Sequence, residues 1–303
     1  MDGARWHCIL TLGLVVSASV AGCVESRESM ARTGSRAPGI DVVEPTENRE
    51  LVPPGLKLEF VGENGLAKTL NVTTYANAHR PRVVVIDDPN HHHRKRYLAL
   101  PLLPLLVEGF EISIEAMRSK EIIMEALDGY ASPVSGEVLT RPGALLAIDD
   151  IDHDEWEPIG DKQADPAPLY VVWRGEDRSP ERFPWPWALA RVRIAELDQE
   201  YQAAELPAHS TARAQRGHAL FVARCIRCHA INRAGGRVGP ELNVPRNITE
   251  YRPAAQIIAF IRAPQSFRYS AMPANPDLTD RQLGDLLSYL RAIKEWKIDP
   301  SSD

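Results

Sequence analysis

The stretch Ala212-Arg-Ala-Gln-Arg-Gly-His-Ala-Leu-Phe-Val-Ala-Arg-Cys-Ile-Arg-Cys-His229 combines two patterns. Ala214, Gly217, His218, Phe221 and Cys225 recur at helical spacing, which predicts a helix whose end delivers Cys225-Ile-Arg-Cys228-His229 to one place. Two thiols with two residues between them, followed at once by an imidazole, put three donors close together along the chain.

Three chemistries use such a set. Zinc wants four ligands, and neither a Cys nor a His follows His229. A redox dithiol wants a βαβ surround, which the flanking pattern does not offer. Covalent haem needs only what is present: two thiols that add to the two vinyl groups, and an imidazole that reaches iron from one side. Haem is the reading that fits.

Residues 212–297 resemble a class I cytochrome c. Gly217 and Phe221 fall where that family has a glycine and an aromatic in its first helix. Gly239-Pro240-Glu241-Leu242 is similar to its Gly-Pro-x-Leu turn. The resemblance implies that the Pro240 carbonyl accepts the proximal N–H of His229 and orients it. Met272 is the only methionine after His229 and sits in Tyr269-Ser-Ala-Met-Pro-Ala274, which the proline keeps out of helix. It looks like the family's distal ligand. A bis-histidine haem would have to draw on His218, His209 or an N-terminal histidine. A middle helix is expected from about Pro253 to Arg262. Leu283, Leu286, Leu287, Leu290 and Ile293 mark a last one, capped by Thr279 or Asp280. Arg237, Asn243 and Arg246 are equally candidates for haem propionates and solvated surface residues.

The other end of the chain has a different character. Arg5 and His7 precede an apolar run, Ile9 to Val20, that is too short to span a bilayer, and Val20-Ala21-Gly22-Cys23 resembles a bacterial lipobox. The expectation is a signal peptide over 1–22, a lipid on Cys23, and a polar tether over 23–50. The competing reading is an ordinary signal peptide with an incidental Cys23. Either way the protein is expected in the periplasm of a bacterium, and the lipid would hold it to a membrane. The chain has four cysteines, Cys8, Cys23, Cys225 and Cys228, so no pair is left for a disulfide. A net charge of -6 argues against a nucleic-acid partner.

Residues 51–197 alternate as strands do around Leu56, Leu58 and Phe60. Further strands are predicted at Arg82 to Ile86, Ile112 to Ile114, Glu121 to Ala126, Ala144 to Ile148, Leu169 to Trp173 and Leu189 to Leu197. Short helices are expected at Pro101 to Val107 and Ser135 to Thr140, giving a β-rich α+β domain. Tyr97-Leu-Ala-Leu-Pro-Leu-Leu-Pro-Leu-Leu106, Asp128-Gly-Tyr130, Ala167-Pro-Leu-Tyr-Val-Val-Trp173 and Pro184-Trp-Pro-Trp187 make this region similar to the molybdopterin-binding domain of the sulfite oxidase superfamily. Active members of that family hold molybdenum through a cysteine thiolate. This region has none, so the resemblance implies a retained fold without the metal, and molybdopterin is not expected. His91-His92-His93, with His79 or His153, could bind copper or zinc, but the flanking charges describe a solvated turn. The acidic run Asp149 to Glu155 reads as a surface loop and Trp185 and Trp187 as core.

A linker over 198–211 would join this domain to an all-α cytochrome c domain at 212–298. The expected function is electron transfer with redox partner proteins through one covalent haem. An oxidoreductase whose first domain binds a pterin or small molecule is the alternative, and a sensory or scaffold role a third.

Overall fold

The computed structural model describes residues 52–298, apart from Asp161, Glu176, Asp177, Ser179, Glu181, Arg268, Tyr269 and Ala271. Cys8, Cys23 and the expected signal peptide and tether lie outside the described residues.

The β-rich region opens with β1 (Lys57–Val61), β2 (Ala67–Asn71) and α1 (Val72–His79), the helix capped by the Asn71 side chain. β3 (Arg82–Asp88) and β4 (His93–Pro101) follow, then α2 (Leu102–Phe110) and α3 (Ile114–Arg118). β5 (Glu121–Ala126), β6 (Ala131–Ser135), α4 (Gly136–Leu139), β7 (Ala144–Asp150), β8 (Tyr170–Trp173) and β9 (Leu189–Ala195) complete it. Two sheets form, a five-stranded one in the order β2-β1-β9-β5-β6 and a four-stranded one in the order β3-β4-β7-β8. Leu58, Phe60, Tyr97, Leu100, Leu105, Leu146, Val172 and Trp173 share one core, with Trp185 buried and Trp187 against it as expected.

Some expectations need correction. No strand forms at Ile112 to Ile114. Glu111 ends α2 in the left-handed conformation and Ser113 caps α3, so these residues bridge two helices. β9 stops at Ala195, and Leu197 begins α5 (Leu197–Glu200). The acidic run is not all surface loop: Asp149 and Asp150 are buried at the end of β7. The strand β2 and helix α1 were not expected, because Ala67–Asn71 is almost wholly exposed and carries no apolar alternation.

Beyond α5 the chain is mainly helical, but not all-α as expected, because Ala230–Ile231 pairs antiparallel with Ala234–Gly235 in a small hairpin. α6 (Ala212–Arg224) is capped by the Thr211 hydroxyl, α7 (Ala254–Arg262) follows Pro253, and α8 (Asp280–Ile293) begins with a Thr279/Gln282 capping box. α6 and α8 cross closely at Gly217. A Cβ there would lie 2.0 Å from the Asp285 carbonyl oxygen. Asp285 also takes both Nε (2.8 Å) and Nη2 (3.1 Å) of Arg216, and Phe221 and Tyr289 pack with ring centroids 5.3 Å apart. Within the expected linker, Tyr201 and Ala204 are buried, and the Tyr289 hydroxyl donates to the Ala204 carbonyl at 2.8 Å. Ile123 of β5 joins Phe221, Ile226 and Leu290 in the same apolar cluster.

Candidate functional site

Cys225 ends α6 as its C-cap, and backbone hydrogen bonds fold the following residues into a tight loop. The N–H groups of Cys228 and His229 donate to the Cys225 carbonyl at 3.1 and 2.9 Å. Gly236 donates to Ile226 and Gly239 to Cys228, each at 2.7 Å. The loop thereby brings Cys225, Cys228, His229 and Pro240 together.

His229 Nδ1 lies 2.9 Å from the Pro240 carbonyl oxygen. A carbonyl only accepts, so the proton sits on Nδ1 and Nε2 keeps its lone pair. Burial holds the imidazole pKa below its usual value, which keeps the ring neutral as a metal ligand requires. Gly239 lies against the ring, where a Cβ would come 2.3 Å from Cε1. Burial also pushes the thiols up, Cys225 to about 12 and Cys228 to about 11. Both are neutral thiols at neutral pH.

Sequence reasoning assigned Glu241 no role. Its carboxylate is the knot of the loop: Oε1 accepts from the Asn232, Asn243 and Val244 amides at 3.0, 2.7 and 3.2 Å, and Oε2 from Arg233 at 2.8 Å. The signal was its place beside Pro240. Asn243 is fully buried and donates to Asn232 Oδ1 (2.8 Å) and the Ile293 carbonyl (3.1 Å). With Asn247, which donates to the Leu290 carbonyl, it satisfies the open C-terminal end of α8. Asn243 is therefore committed to α8 rather than to a propionate. The Arg246 guanidinium lies over the Tyr251 ring.

Met272 is half-buried on a separate segment. Its amide meets Ser270 Oγ at 3.2 Å, its carbonyl accepts from Gln265, and Asn275 ties the segment to the Ile261 carbonyl at the end of α7. Helix α7 is apolar through Ile257, Ile258, Ala259, Phe260 and Ile261, yet only Ile257 is buried. Val238 and Phe267 are 37% and 49% exposed. A flat apolar group would cover such surface, so the residues present fit a haem.

The β-rich region holds a second cluster of titratable groups. His91, expected in a solvated turn, points inward with its side chain 2% exposed, while His93 stays exposed and His92 adopts a left-handed backbone. His79 stacks on Tyr75 instead of joining them. Asp88 accepts from the hydroxyls of Tyr97 (2.8 Å) and Tyr170 (3.1 Å). Asp150, His153 and Glu157 could face one cation, but the Lys95 ammonium already stands 2.7, 3.2 and 2.6 Å from them. That fills the place with a protein cation.

Burial alone would raise the Asp88 carboxyl, but hydrogen bonds from His91, Tyr97 and Asn90 outweigh it and hold the pKa below the usual range. Burial lowers the His91 pKa, and its contacts with Asp88 and the Glu157 carbonyl more than reverse this. The depressed carboxyl contributes stability above pH about 4 that is lost on acidification through its folded value. The raised imidazole contributes below pH about 6.5, and that is lost as pH rises through its folded value. Denaturant unfolding across pH should show a plateau between, with His91→Gln flattening the alkaline limb. An unchanged alkaline limb in that variant would refute the pairing.

The helical region thus has the fold and donor set of a cytochrome c domain, which implies a c-type haem and haem-based electron transfer. Residues 212–290 match the family model described as cytochrome C oxidase, cbb3-type, subunit III. No curated protein matches the chain. Among the described residues, no helix is long and apolar enough to cross a membrane.

Proposed function

We propose that this chain is a periplasmic electron-transfer protein, held to a membrane by a lipid on Cys23. One haem is joined covalently through Cys225 and Cys228 and ligated by His229 and Met272. When bound, the haem supplies a one-electron Fe(III)/Fe(II) couple for exchange with redox partner proteins. The observation that carries the reading is the His229–Pro240 hydrogen bond at 2.9 Å, which fixes the tautomer and aims a free Nε2 lone pair. Cys225 and Cys228 supply neutral thiols for thioethers, Glu241 holds the loop, and α7 excludes water with its apolar face. The β-rich region is an accessory domain, similar in its segments to the molybdopterin-binding fold but without a thiolate for the metal.

Elemental analysis of protein from its native host, with extraction of haem by acidic acetone, tests this. One iron per chain and a haem that stays with the polypeptide are expected, and Cys225→Ala/Cys228→Ala should release it. Extractable haem in the unsubstituted chain would end the covalent assignment. Stoichiometric molybdenum would instead favour an oxidoreductase working through the first domain.

A further inference from the structure

The turn between β5 and β6 belongs to the β-rich region, yet it is hydrogen-bonded to the cysteine loop. The Ala131 amide donates to the carbonyl of Arg227, the residue between the two cysteines' inner neighbour Ile226 and Cys228, at 3.0 Å. The Arg237 amide donates back to the Gly129 carbonyl at 2.9 Å, and Arg227 Nη1 reaches the Pro180 carbonyl at 3.1 Å. Gly129 has a φ of +90°, and a Cβ on it would lie 3.0 Å from Arg237 Cβ, so the approach is backbone to backbone. Tyr130 is half-buried at this junction, its hydroxyl in contact with Arg227 and Ser132 and close to Cys228. The turn is anchored from behind, since Leu127 donates to the Ala188 carbonyl at 2.9 Å and Ile123 sits in the helical core with Ile226.

From this juxtaposition we infer that the turn Leu127–Tyr130 is a built-in cover over the Cys228 side of the haem, with Tyr130 as a positioning residue. The inference rests on the function proposed above. The turn is tied to the residues on either side of Cys228 and His229, so a haem joined to Cys228 would have that edge beside it. Ferric haem carries one more positive charge than ferrous, and water stabilises the more charged state. Excluding water there therefore favours Fe(II) and raises the potential. The same cover denies small reagents and partner proteins that edge, so exchange with partners takes place over another part of the haem surface.

The test uses the full haem-loaded chain and three variants, Tyr130→Ala, Gly129→Val and Tyr130→Phe. The midpoint potential is read by spectroelectrochemistry and the reduction rate with ascorbate as the probe. Opening the turn in Tyr130→Ala and Gly129→Val should lower the potential and speed ascorbate reduction several-fold, while Tyr130→Phe, which loses only the hydroxyl's contacts with Arg227 and Ser132 and keeps the ring, stays closer to the unsubstituted chain than either. Variants that retain covalent haem with unchanged potential and rate would overturn the cover. Amide hydrogen exchange on the unsubstituted chain decides independently of whether the variants fold: protected Ala131 and Arg237 amides are expected, and exchange at open-loop rates would overturn it. Absence of covalent haem from the unsubstituted chain would instead remove the functional reading beneath it.

Discussion

Met272→Ala is expected to keep the haem on the polypeptide and to lower its midpoint potential by about 0.2 V, a fraction of the roughly 0.8 V that axial ligands span. The two thioethers are untouched, so covalent haem survives. A thioether is a weak donor that suits Fe(II), and water or hydroxide in its place favours Fe(III). The visible spectrum should change with it. Of the histidines that could substitute, His91 and His79 are engaged elsewhere, whereas the buried Nε2 of His218 has no hydrogen-bond partner among the described residues and His209 is exposed. His218 lies against Tyr289, ring centroids 5.2 Å apart, with Nε2 3.6 Å from Glu205. His91 is shared between Asp88 and the Glu157 carbonyl, and His79 stacks on Tyr75. An unchanged spectrum and potential in the variant would show that another group holds the sixth position.

Much of the helical region was legible because its chemistry is local. Cys225, Cys228 and His229 are within five residues, Pro240 follows in a short turn, and α6 and α8 declare themselves by apolar spacing. The β-rich region was legible where strands alternate or run apolar, as in β3 and β7. Less was legible where a polar residue's partner is far along the chain. Lys95 looks solvated in Arg94-Lys95-Arg96, but alternation in β4 turns it inward to Asp150 and Glu157, more than fifty residues away. Asn243 reads equally as a propionate contact or a surface residue, because nothing local shows that it meets the end of α8. The turn at Gly129 gave no sign of its contacts with Arg237 and, through Ala131, with Arg227, since pairing so far along the chain leaves no periodic trace.

Gly217→Val should cost on the order of 3 kcal/mol of stability, at the upper end of overpacking penalties. The first added atom would already lie 2.0 Å from the Asp285 carbonyl oxygen and 2.9 Å from Tyr289 Cβ. Backbone cannot rotate aside, so α6 must part from α8. That weakens the Arg216–Asp285 pair and the Phe221–Tyr289 contact together. Because α6 ends at Cys225, the displacement is passed to the cysteine loop, and the yield of covalent haem should fall with stability. Gly284 on α8 is the internal control. A Cβ there meets Arg213 Nη2 at 2.2 Å, the far end of a flexible side chain that can swing away. Gly284→Ala should therefore be neutral or slightly stabilising, since alanine gains up to about 1 kcal/mol of helix propensity over glycine. Thermal or denaturant unfolding of the two variants measures the contrast. Equal stability would mean that α6 and α8 do not cross at Gly217 as closely as the structure places them.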